Sequence, residues 1–112
     1  MTNYLISSST LDGDTVVNSQ GEDLGHIKDL MLDPADGKIE YAVLDFGGFL
    51  GIGDKYFAVP FSQLAVDREN KRMILNVDKD RLKDAPGFDK DNWPDFADTA
   101  FRSTVDRYFV AA

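Results

Sequence analysis

Residues Leu11–Leu30 read LDGDTVVNSQGEDLGHIKDL, and the way this run divides decides the fold. Thr15, Val16 and Val17 are β-branched, stiff at χ1 and suited to a pleated surface. Asn18-Ser19-Gln20-Gly21 follows with the residue types a hairpin loop needs. The chain then resumes a strand pattern from Leu24 to Leu32. Gly25 lies inside that second strand, where a glycine permits a bulge or a sharp bend. Strands joined by so short a loop must pair antiparallel, because parallel neighbours need a long crossover.

The same reading extends outward. Asp33-Pro34-Ala35-Asp36-Gly37 is a second hairpin loop, in which Pro34 presets φ and Gly37 accepts positive φ. Strand Ile39–Phe46, IEYAVLDF, is apolar on both alternating sets, Ile39-Tyr41-Val43 and Ala42-Leu44-Phe46, so both its faces should be covered. Together with Thr15–Asn18, Lys55–Phe61 and Arg72–Val77, these runs predict a small antiparallel meander over residues 11–78. In the last of them Met73, Leu75 and Val77 alternate with Arg72, Ile74 and Asn76, which places it near an edge. Residues 1–10, with the run Ser7-Ser8-Ser9-Thr10, read as a flexible lead-in. After Val77 the period changes. Asp78–Asp84 is a short helix candidate stopped by Pro86-Gly87. A longer one is expected from Asn92-Trp93-Pro94 to about Phe109. Its apolar stripe is Ala97, Phe101, Val105 and Tyr108, broadened by Phe96, Ala100 and Phe109, so residues 79–112 read as a helical extension.

A chain of 112 residues has room for one core, and eight Phe and four Tyr supply much of its buryable surface. Twenty Asp and Glu against twelve Lys and Arg leave a net charge of −8, which repels nucleic-acid phosphates and anionic membranes. Lys28, Lys38, Lys55, Arg68 and Arg81 all have acids nearby, so no basic patch offsets that charge. The absence of cysteine removes disulfides, thiolate catalysis and Cys-based zinc sites, and His26 is the only imidazole. No segment is apolar and long enough for a signal peptide or a membrane span, so a cytoplasmic protein without membrane insertion is expected.

Leu11–Leu30 also resembles the opening of the PRC-barrel family, whose pattern is Val, a turn ending in Gly, then Leu-Gly-x-Ile-x-Asp. The stretch Gly47–Phe61, GGFLGIGDKYFAVPF, is similar to that family's glycine-rich hairpin and the strand after it, which ends in Pro plus an aromatic. The family takes its name from the cytoplasmic domain of the photosynthetic reaction-centre H subunit, and the barrel also forms part of a ribosome maturation factor. The resemblance implies a mainly β fold, a small antiparallel PRC-type β-barrel over residues 11–78 with a C-terminal helical extension. Its known settings are protein contacts within larger assemblies.

Several chemical readings fail on inspection. Gly48–Lys55 has two glycines five positions apart like a phosphate loop, but Asp54 and Lys55 stand where Lys and Ser/Thr are required and a strand follows. Asp89, Asp91, Asp95 and Asp98 do not have EF-hand spacing, Asp91, Asp95 and Asp98 suit a helix start, and Asp33–Gly37 reads as a turn. His26 has no second ligand or nucleophile elbow beside it. No catalytic residue, cofactor or metal is therefore expected.

Two apolar features remain. Phe49, Leu50 and Ile52 sit among glycines at a hairpin tip, which either meets a partner or folds back over an open barrel end. The Phe101, Val105 and Tyr108 stripe, with Trp93 as anchor, packs on its own barrel or on another subunit. The expectation is a non-catalytic protein-interaction module, a homodimer, with Phe49, Leu50, Ile52, Trp93, Phe101, Val105 and Tyr108 as candidate interface. The alternative is a small-ligand or ribosome/RNA-linked binding protein.

Overall fold

The structure, a computed structural model, describes residues 5–46 and 55–109. A short helix α1 (Ser8–Leu11) precedes strands β1 (Thr15–Val17), β2 (Asp23–Asp33), β3 (Lys38–Asp45), β4 (Lys55–Pro60), β5 (Leu64–Asp67) and β6 (Arg72–Leu75). Helix α2 (Lys79–Lys83), strand β7 (Gly87–Asp89) and helix α3 (Thr99–Phe109) complete the order. All seven strands form one sheet in the order β5-β6-β1-β2-β3-β4-β7.

The expected strands are present, and β1 to β4 follow one another antiparallel as the short loops require. Two features correct the expectation of a closed antiparallel barrel. The sheet is mixed, because β6 returns beside β1 in parallel after the long excursion through β2 to β5. Nor does it close among the described residues, where β5 and β7 stand at its two edges. Strand β6 lies one place in from the β5 edge. Residues Gly87–Asp89, in the segment expected to be helical, instead pair with β4, and the long helix starts at Thr99.

One cluster on the inner face takes in Val16, Leu24, Ile27, Ala42, Leu44, Phe57 and Met73, with Leu64 and Val66 of the β5 edge packed against it. The sheet therefore curls around this inner cluster, which Leu11 of α1 and Leu82 of α2 join. Gly25 makes part of that curl possible. Its φ is +113°, and the β1–β2 register shifts beside it, between Val16 and Val17.

The first hairpin loop is held by a buried amide. Asn18 is 3% exposed, its Oδ1 accepts from the Gln20 and Glu22 backbone N–H groups, and its Nδ2 donates to Glu22 Oε1 at 2.7 Å and to the Val77 carbonyl at 3.2 Å. It thus ties the β1–β2 turn to the chain leaving β6. Asn18→Ala removes all four of these part-buried hydrogen bonds and should cost about 2 kcal/mol. Thermal unfolding followed by circular dichroism should show a fall of roughly 10 °C. An unchanged midpoint would mean the backbone alone holds the turn.

Candidate interaction surface

Strand β3 is buried on both faces at Tyr41, Ala42, Val43 and Leu44, as the doubly apolar pattern of Ile39–Phe46 predicts, and β4 is buried likewise at Tyr56, Phe57, Ala58 and Val59. The inner set faces the core, and the outer set faces the C-terminal segment. Val105 of α3 is fully buried in a second cluster with Tyr41 and Ala58, and Phe101 packs beside it. The helix thus lies on the outer face of its own sheet, with its apolar stripe turned inward.

Ahead of α3 the chain builds an aromatic layer. Tyr56 meets Phe88 of β7 edge-on at 6.0 Å and Trp93 at 5.8 Å. Phe88 and Trp93 are 5.3 Å apart, Phe96 stands 6.0 Å from both Tyr41 and Phe88, and Phe101 closes on Phe96 at 5.4 Å. Most of these pairs are tilted or edge-to-face, the arrangement that ring quadrupoles favour. Trp93 sits at the rim. Its Nε1 donates to the Lys90 carbonyl at 2.7 Å, and 38% of the residue remains exposed.

A polar margin runs along the other side of α3. The Tyr41 hydroxyl donates to Asp106 Oδ1 at 3.1 Å and accepts from Arg102 Nε at 3.4 Å. Arg102 also reaches Glu40 Oε2 at 3.4 Å, and its guanidinium lies over the Tyr41 ring. Burial is the main reason the Tyr41 hydroxyl titrates above its ordinary range. At the far end of α3, Tyr108 stacks under Arg81, accepts from it through its carbonyl and donates its hydroxyl to the Arg81 carbonyl. That contact fastens α3 to α2.

Between the β2–β3 turn and the segment entering α3 lies an open groove of about 320 Å³ with Met31, Leu32, Pro34 and Phe96 in its lining. Asp33, Asp36 and Glu40 bring one carboxylate oxygen each to within 4.8 Å of one another at its acidic end. Each carboxylate is engaged within the chain, since Asp33 accepts from Ala35 N, Asp36 from Lys38 N, and Glu40 from Arg102. Of the aspartates in the 89–98 segment, Asp98 accepts from Ala100 N at the start of α3 and Asp95 from Ala97 N in the turn before it, both at 2.9 Å, while Asp89 closes β7. His26 Nε2 lies 3.6 Å from Asp45 Oδ2 on the neighbouring strand and is half exposed.

Of the residues singled out in the sequence, Trp93, Phe101 and Val105 come together on this outer face, whereas Tyr108 stands apart, against α2. Phe49, Leu50 and Ile52 lie outside the described residues. The contributions of Tyr56 and Phe88 escaped sequence reasoning. Phe88 sits between the breakers Pro86-Gly87 and an acidic run, and only its pairing in β7 turns it towards Trp93. No helix of the described residues is long and apolar enough to cross a membrane.

One curled mixed sheet, with an inner core cluster and a helix packed on its outer face, defines a small, mainly β domain. The PRC-barrel domain model matches residues 5–82, and the chain belongs to the PRC-barrel family. No curated protein matches the chain.

Proposed function

We propose that this chain is a non-catalytic protein-contact module, working in the cytoplasm and joining a second copy of itself through the face around Trp93. The observation that carries the reading is the exposure of Trp93 at the edge of an aromatic layer whose other members are at least partly buried. Tryptophan of this kind, apolar and rigid with its N–H already satisfied, is enriched at the centres of protein interfaces. Charges near it are of both signs, Lys90 and Lys55 with Asp89 and Asp91, so two copies can meet there without stacking like charges. The Gly47–Gly53 segment, with Phe49, Leu50 and Ile52, is the second proposed element of the contact.

Light scattering at micromolar concentration tests this. The wild-type chain should have the mass of a dimer, and Trp93→Ser, or Phe49→Ser with Leu50→Ser, should shift it towards the monomer with the fold retained. A monomeric wild type whose pull-downs are also unchanged by these substitutions would overturn the proposal.

A further inference from the structure

We propose that the groove beside the β2–β3 turn is a docking site for an extended peptide segment of a partner protein that carries apolar side chains next to lysine or arginine. This goes beyond self-association through Trp93 and does not depend on it.

The shape indicates a chain segment. The groove of about 320 Å³ is followed by a second recess of about 270 Å³, and both are bordered by Glu40, Tyr41 and Arg102. The two recesses lie on either side of these shared residues, one reaching the turn and the other Pro60 and Ser62, a succession that suits an extended chain better than a compact small molecule. The floor is apolar. Leu32 is 58% exposed there, an unusual position for a large aliphatic side chain, with Met31, Pro34 and Phe96 around it.

Charge selects the occupant. Asp33, Asp36 and Glu40 converge at one end, and Asp106 stands at the other. Arg102, the cation in the lining, is already engaged by Glu40 and Tyr41. A second copy of this chain would bring the same net charge of −8 against these carboxylates, whereas a basic segment complements them. Apolar floor and acidic rim thus call for alternating apolar and basic side chains.

The test uses two fluorescein-labelled synthetic peptides, one alternating Leu and Lys and one alternating Leu and Glu, read by fluorescence anisotropy. The Leu-Lys peptide should bind and the Leu-Glu peptide should not, with affinity falling several-fold as ionic strength rises from about 0.02 to 0.3 M. Asp33→Asn with Asp36→Asn retains the side-chain oxygens that accept from Ala35 and Lys38. That pair, and separately Leu32→Ser, should each weaken binding about tenfold, an effect of roughly 1.4 kcal/mol. The charge-matched pair Asp80→Asn in α2 with Asp84→Asn at its C-cap should leave binding unchanged. The proposal is overturned by absent binding, by equal loss in the α2 pair, or by indifference to Leu32→Ser. It is overturned equally if calorimetry finds a calcium site lost with Asp33 and Asp36, or if Leu32→Ser dissociates a dimer, since a cation or a second copy would then be the occupant.

Discussion

Gly25→Ala is expected to destabilise the protein by about 3 kcal/mol or more and to lower the melting temperature by more than roughly 10 °C. Two costs combine. At φ +113° an L-residue is strained whatever surrounds it, and a Cβ placed there would stand 2.0 Å from the Asp45 carbonyl oxygen of the adjoining strand. That oxygen belongs to the backbone, so relief requires β2 and β3 to separate at the place where the sheet bends. Gly21→Ala separates the two costs. Gly21 also has positive φ, at +82°, but its Cβ would meet nothing within 4 Å, and the expected loss is about 1 kcal/mol. Chemical denaturation of both variants should therefore show a clear gap, and equal losses would refute a steric role for the close approach of β3.

Phe57→Ala should cost about 3–5 kcal/mol, the range for removing a buried aromatic ring. Phe57 is fully buried on the inner face of β4 and meets Phe46 edge-on at 5.9 Å. Neighbours on both sides of the sheet restrict collapse into the space left behind: β4 pairs with β3 and β7, and α3 lies on its outer face. The midpoint of a urea titration reports the loss. A change below about 1 kcal/mol would mean that the inner cluster is not the main source of stability.

The contrast between these residues and the outer face explains what was legible in the sequence. Gly25 and the doubly apolar strand Ile39–Phe46 carry local signals, a glycine within a strand pattern and a period of two on both faces, and each predicts its structural role. Pairing between distant segments carries no such signal. Strand β6 pairs parallel with β1, and neither short run states its partner. Strand β5, four residues after a turn at Phe61–Gln63, and β7, three residues flanked by breakers, are too short for a period to register. The candidate surface was half legible for the same reason. Trp93, Phe101 and Val105 declare themselves by helical spacing or by size, whereas Tyr56 and Phe88 join them only once β7 is laid against β4.

Burial of α3 on its own sheet also sharpens where a partner can reach. Val105 is enclosed within the chain and Phe101 is partly buried, its ring against Phe96, so Trp93, at 38% exposure, is the more accessible aromatic of that face. Hydrogen–deuterium exchange, followed by mass spectrometry on the same protein dilute and concentrated, tests this most directly. Association through Trp93 predicts exchange that slows with concentration in peptides spanning residues 87–97, while the β5 edge is unaffected. Exchange independent of concentration there, or slowing confined to Leu64–Asp67, would contradict it.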